Sequence, residues 1–164
     1  VGYMLADATK AAAEANPDVK FAIIDDATIE LDNVTCLMFE QEQGSYLVGY
    51  VAGMMTETDN VGFVIGMSNE NMNLFGYGYC AGVLDANPDA TIQQFNVNSF
   101  ADSATGKSMA NTAITNGADI VFHAAGASGL GVIEACQEAG VYAIGVDSDQ
   151  SSICLLYTSP SPRD

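Results

Sequence analysis

Basic residues are almost missing from this chain: four Lys and Arg stand against 21 Asp and Glu, for a formal net charge of −17. A surface this acidic repels phosphate backbones and anionic lipid heads, so nucleic-acid and membrane-surface partners are not expected. A polyanionic ligand is disfavoured too, because no basic cluster exists to neutralise it. Histidine occurs once, at His123. The four cysteines, Cys36, Cys80, Cys136 and Cys154, form no CxxC pair. Zinc needs closely spaced ligands, so no metal site is expected on them. Cys36, Cys80 and Cys136 read instead as small buried apolar residues. No uninterrupted apolar run reaches the roughly 18 residues that cross a bilayer. No basic segment leads into an apolar one at the start, so no signal peptide is expected in this stretch.

Apolar residues are plentiful, at 49% of the chain, enough to bury a core. Residues 3–15 are Ala-rich and helix-favouring, and Asn16-Pro17-Asp18 stops them. Strands are expected at 20–25, 33–39, 61–65, 91–97, 120–124 and 141–146. Helices are expected at 43–56, 73–87, 103–116 and 128–139. Pro88 and Gly117 end the second and third of these, and Gly140 is the left-handed stop of the last. In the helix over 43–56, Tyr46, Leu47, Tyr50, Val51 and Met54 make one apolar stripe. Apolar strands alternating with helices call for an α/β fold with a doubly wound parallel sheet. Ligands of such sheets bind beyond the carboxyl ends of the strands. Those ends carry Asp25-Asp26, Phe39, Gly66-Met67, Asn98-Ser99-Phe100, Ala125-Gly126 and Asp147-Ser148-Asp149.

The glycine patterns that tempt one toward nucleotides fail. Gly76, Gly78 and Gly82 are one residue off the dinucleotide spacing and lie inside a helical stretch. Gly106-Lys107-Ser108 resembles the end of a phosphate loop, but Ala101 stands where its first glycine is required. Helix packing and turns account for these glycines better. His123 ends an apolar strand with no GxSxG elbow to serve, so a buried structural histidine is expected and no catalytic set is visible. Asp147 and Asp149, two apart at a strand end, are expected to face opposite ways, one meeting the cleft while the other caps or pairs. Acids, one aromatic and glycines at strand ends suit a neutral polyol with a flat face. A carboxylate accepts from two sugar hydroxyls at once, a ring stacks on Phe100, and Gly126 lets the backbone come close.

Cys154 to Asp164 (CLLYTSPSPRD) resembles, residue for residue, the translation of a common transposase sequencing adapter, and is expected not to be native protein. Upstream of it, FxxxxGSYLVGYVAG (39–53), VGFVIGM (61–67), NSFAD (98–102), GADIVFHAAGASGLGV (117–132) and YAIGVDSDQ (142–150) resemble the basic-membrane-protein lipoproteins. The best-understood members of that family are purine nucleoside receptors feeding an ABC importer. The resemblance implies a type I periplasmic-binding-protein-like fold of two α/β lobes around a cleft, here truncated at both ends. Residues 1–39 would be a remnant of the amino-terminal lobe plus a hinge strand, and 40–153 the second lobe. It further implies that Asp147 holds ribose hydroxyls, that Phe100 flanks the purine beside Gly126, and that Asp25 or Asp26, with Phe39, belongs to the same site. A nucleoside ligand, an ABC permease partner and lipid anchoring outside the cytoplasm are implied, with no cofactor and no catalysis. Ser68 to Asn73 (SNENMN) departs from the usual family pattern and leaves base preference open. A pyrimidine nucleoside, another sugar or a regulator's sensor domain are the alternatives; an enzyme such as a nucleoside hydrolase would need a calcium-binding aspartate cluster.

Overall fold

The computed structural model describes residues 1–151 and the backbone of Tyr157–Thr158. The reading of residues 154–164 as adapter sequence lies, apart from that backbone, outside the described residues. The chain divides into two compact units, Val1–Glu40 and Gln41–Asp164.

In the first unit a 3-10 turn (Tyr3–Leu5) leads into α1 (Ala6–Ala15), followed by β1 (Phe21–Ile24) and β2 (Val34–Leu37), which pair in parallel. The end of α1 leaves carbonyls without helical donors. Buried Asn33 reaches them: its Nδ2 lies 3.0 Å from Ala13 O, 3.2 Å from Asn16 O and 3.0 Å from Val19 O. That side chain ties the Asn16-Pro17-Asp18 turn to the start of β2.

The second unit runs α2 (Gln41–Met55), β3 (Asn60–Ile65), α3 (Glu70–Ala86), β4 (Thr91–Asn96), α4 (Ser103–Thr115), β5 (Ile120–Ala124), α5 (Gly129–Ala139), β6 (Tyr142–Gly145) and β7 (Tyr157–Thr158). The strands form one parallel sheet in the order β4-β3-β5-β6-β7. Strand periodicity sorts the core onto two faces. Phe63, Ile65, Ile120, Phe122 and Ile144 share one face with Val48, Tyr79 and Val83 of α2 and α3. The rings of Phe63, Tyr79 and Phe122 stand 5.1–5.9 Å apart there. Val64, Val121 and Ala143 point the other way, with Ala110, Val132 and Cys136 of α4 and α5. The doubly wound α/β architecture expected from the sequence is therefore present.

Two expectations need correction. The stripe of Tyr46, Leu47, Tyr50, Val51 and Met54 is not the buried face of α2: Leu47 is 58% and Met54 69% exposed. The buried face is Ser45, Val48, Gly49, Ala52 and Gly53. The cause is an interlock of glycines with α3. A Cβ on Gly49 would stand 2.2 Å from Tyr79 O, on Gly53 2.6 Å from Val83 O, on Gly78 2.1 Å from Glu42 O, and on Gly82 2.0 Å from Tyr46 O. Backbones this close leave no room for a large-residue seam, so the large side chains turn outward. Cys36 and Cys80 are only half-buried, whereas Cys136 is fully buried as expected. In addition, α3 begins three residues before the expected Asn73, because Asn69 caps it by accepting from Met72 N at 2.8 Å.

Gly106-Lys107-Ser108 belongs to α4, not to a phosphate loop. Gly106 and Gly131 let α4 and α5 meet closely, and Lys107 Nζ lies 3.0 Å from Glu134 and 2.9 Å from Glu138. Among the described residues no helix is long and apolar enough to cross a membrane.

Candidate functional site

All strands of the second unit are parallel, so the turns after β3, β4, β5 and β6 emerge at one edge of the sheet. Phe100 follows β4 and folds back across its neighbours. Its ring covers Gly66 at the end of β3, where a Cβ would sit 2.4 Å from Phe100 Cδ1. It also borders Gly126 beyond β5, where a Cβ would lie 3.4 Å from Phe100 Cβ and 3.5 Å from Cδ1. Gly126 has φ +55, a conformation that favours glycine. Phe100 is half-buried, with the ring backed by glycine on one side.

Ser128, absent from the expected site, holds this shelf together. Its hydroxyl donates to Ser99 O at 2.9 Å and accepts from Asp102 N at 2.8 Å, and its own N–H donates to Phe100 O at 3.2 Å. Asp102 then caps α4 by accepting from Thr105 N (3.0 Å) and Thr105 Oγ1 (2.7 Å), and the first of these bonds does most to hold its carboxyl below the ordinary value. The only hint in the sequence is a lone hydroxyl in a run of small residues after β5.

Beyond β6, Asp147 is exposed and has φ +68. Asp149 turns to a local task, accepting from Ser151 N at 2.9 Å, and its hydrogen bonds to Ser151 lower its carboxyl. The two acids thus divide into one at the strand end and one that closes a turn. Gln150 folds back under them: its Oε1 accepts from Val146 N at 3.0 Å and lies 3.1 Å from His123 Nε2.

His123 is fully buried on the α5 face of β5. Burial pushes its pKa down from 6.5 to about 4, against a smaller opposing effect of the Gln150 hydrogen bond. The unfolded chain therefore takes up this proton before the folded one as pH falls. Stability is expected to be undiminished above about pH 6.5 and to decline toward pH 4, by a ceiling of about 3 kcal/mol at 1.36 kcal/mol per pH unit. Urea unfolding of the wild type and of His123→Gln across that range checks this. The difference between the two curves should carry the slope.

In the first unit Asp25 also follows a parallel strand with a left-handed backbone, φ +61, and its N–H donates to Leu37 O at 2.9 Å. Asp26 Oδ1 accepts from Thr28 N (2.8 Å) and Thr28 Oγ1 (2.7 Å), closing a turn. Phe39 is half-buried between β2 and the end of the unit. Of the expected site residues, Phe100 and Gly126 are in contact. Asp147 shares their edge of the sheet, and Asp25, Asp26 and Phe39 belong to the other unit. A cavity of about 360 Å³ lies elsewhere, against Phe63, Gly76, Cys80 and Gln94, and none of the expected residues lines it. No cluster of His, Cys, Asp and Glu among the described residues is arranged to hold a metal ion.

The family described as ABC transporter substrate-binding protein PnrA-like matches residues 1–158. Basic membrane protein A1 of Borrelia garinii subsp. bavariensis is 40% identical over 157 residues, covering 92% of this chain and 46% of that protein. A solute-binding protein of an ABC transporter system from Aeropyrum pernix K1 superposes with a TM-score of 0.82 at 27% identity, over 92% of this chain and 46% of that one. A transcriptional activator of the comK gene from Bacillus halodurans superposes at 0.81 with 23% identity, over 94% of this chain and 53% of that one, and shows the fold alone. The chain thus spans about half the length of the proteins it matches. With a type I binding-protein fold, a match along nearly its whole length and 40% identity to a basic membrane protein, this chain belongs to the PnrA-like family of ABC transporter substrate-binding proteins.

Proposed function

We propose that the chain is part of an extracytoplasmic, lipid-anchored receptor that captures a purine nucleoside for an ABC importer and performs no chemical step. One observation carries this reading: an aromatic shelf, Phe100 over Gly66 and beside Gly126, on the same sheet edge as an exposed left-handed carboxylate, Asp147. β5 and β6 are neighbours, and strands lie about 4.8 Å apart. The shelf and the carboxylate are then separated by roughly one to two strand spacings, about 5–10 Å. A base stacked on Phe100 with its ribose reaching Asp147 fits that span. The carboxylate would accept from two ribose hydroxyls, and closure by hinge motion would present the loaded form to the permease.

A nucleoside suits the site better than a nucleotide. Among the described residues the second unit has one basic side chain, Lys107, and it is engaged by Glu134 and Glu138. In this reading residues 1–39 belong to the amino-terminal lobe and hinge, with Asp25 or Asp26 and Phe39 contributed from there. Residues 40–153 are the second lobe, and 154–164 are adapter-derived. The alternative reading is a regulator's sensor domain, which shares this fold and would bind the same ligand class without a permease partner.

Calorimetric titration of the full-length receptor with inosine, guanosine, adenosine, cytidine and ribose tests the proposal. Submicromolar binding of purine nucleosides, with the nucleoside recovered unchanged, is the expected outcome. Heat from ribose or cytidine alone would overturn the purine assignment and leave the family standing.

A further inference from the structure

The polar knot behind the end of β6 is more specific than a core histidine requires. Val146 N–H only donates, so the Gln150 atom 3.0 Å away from it must be the oxygen, and the side-chain amide has one orientation. That oxygen cannot donate, so His123 Nε2, 3.1 Å from it, carries the ring proton. The other ring nitrogen, Nδ1, is buried without a hydrogen-bond partner. It is pressed against Gly129 at the start of α5, where a Cβ would stand 2.1 Å away. A bare nitrogen is the form that suits this place, because the partial positive charge of a helix N-terminus opposes a proton there. A second glycine clears space for the other half of the knot: a Cβ on Gly145 would lie 2.5 Å from Gln150 Oε1. Two glycines therefore admit one histidine and one glutamine, in one tautomer and one amide orientation.

The knot joins three things that the candidate site depends on. Val146 immediately precedes Asp147, and its carbonyl accepts from Ser148 N at 2.8 Å, so the same residue anchors both ends of the left-handed turn. His123 lies on β5, two residues before Ala125-Gly126. Gln150 closes the loop by returning from beyond Asp149. We propose that Gln150 and His123 are positioning residues, a latch that holds the Asp147 turn in the form that presents its carboxylate and couples it to the Gly126 turn. This rests on Asp147 being a ligand group. Neither latch residue touches ligand; each raises affinity by keeping the turn in its competent conformer. Losing the shared acceptor lowers the population of that conformer and weakens binding by the same factor.

The test uses the full-length receptor with the purine nucleoside that it binds most tightly. Imidazole nitrogen NMR of His123, assigned by its loss in His123→Phe, should show the proton on Nε2. Gln150→Leu should release that tautomer, speed amide exchange at Val146 and Ser148, and weaken binding about tenfold, the value of one well-made hydrogen bond. Gln150→Glu keeps an acceptor for both donors and should bind within about threefold of the wild type. A wild-type proton on Nδ1 would sink the geometry, and wild-type affinity in Gln150→Leu would sink the positioning role. Should Gln150→Leu fail to fold, His123→Leu removes only the Nε2 bond and is expected to weaken binding about threefold, with unchanged affinity overturning the proposal. Asp147→Asn in the same series separates the two ideas. Unchanged affinity there overturns the ligand site and, with it, the positioning role, while the exchange and tautomer data still report whether the latch exists.

Discussion

Gly82→Ala is expected to unfold the second unit or to lower its stability by about 3 kcal/mol or more, measured by urea unfolding. A methyl group there would lie 2.0 Å from Tyr46 O, 2.7 Å from Tyr50 N and 2.9 Å from Tyr46 C, all main-chain atoms of α2 that cannot turn aside. Relief requires the two helices to separate. Separation opens gaps around Val48, Tyr79 and Val83, which pack over the sheet on this face. Gly140→Ala is the control. That position has φ +70 and nothing within 4 Å of an added Cβ, so only backbone strain opposes the change, at about 1 kcal/mol. Equal effects at the two sites would mean that the helix interlock contributes little.

The other large effect is expected at Asp147, in binding and not in folding. Asp147→Asn keeps a side chain that tolerates the left-handed backbone at φ +68 and removes the charge. In the proposed site, two charge-assisted bonds to ribose hydroxyls, each about 1.5–3 kcal/mol, would become weaker neutral ones. A loss of at least about a hundredfold in nucleoside affinity is expected, with a thermal midpoint within a few degrees of the wild type. Asp149→Asn should leave affinity nearly unchanged, because that carboxylate is occupied by Ser151. If the two substitutions weaken binding equally, the division of labour between these acids is wrong.

The alternation of strands and helices was legible because most strands, among them β1, β3 and β6, are short apolar runs next to Gly or acid; β4 (TIQQFN) is the exception. β5, Ile120–Ala124, is buried at every position and reads as such from composition alone. The face of α2 was not legible. Hydropathy weighs Leu47, Tyr50, Val51 and Met54 above Gly49 and Gly53, yet the partner helix chooses the face on which its backbone comes closest. Spacing does not reveal that choice unless α2 and α3 are already known to be neighbours. The spacing of Asp147 and Asp149 did not settle their roles: on a strand i and i+2 share a face, and both acids lie in the turn beyond β6, where Asp149 accepts from Ser151. Ser128 and Gln150 escaped because each works by folding back on main chain from a distant turn, which leaves no periodic trace. Asp25 and Asp26 are alike in the sequence and differ in the structure: Asp26 closes a turn with Thr28, and Asp25 has the left-handed form seen again at Asp147.

Four non-glycine residues of the described chain have that left-handed form, and three of them, Asp25, Asn98 and Asp147, stand just beyond the carboxyl ends of β1, β4 and β6. The fourth, Asp59, enters β3 and accepts from Asn87 Nδ2 at 2.7 Å. Each such backbone costs on the order of 1 kcal/mol relative to glycine, so the three together forgo roughly 3 kcal/mol. Set against a typical domain stability of about 5–15 kcal/mol, that is a sizeable sacrifice at the strand ends of the two units. Glycine at these positions would make a sturdier protein, at the cost, in the proposed site, of the Asp147 carboxylate. Stabilising designs drawn from this fold that are meant to keep the proposed site therefore leave Asp147 alone and seek their gains in the helices behind the sheet.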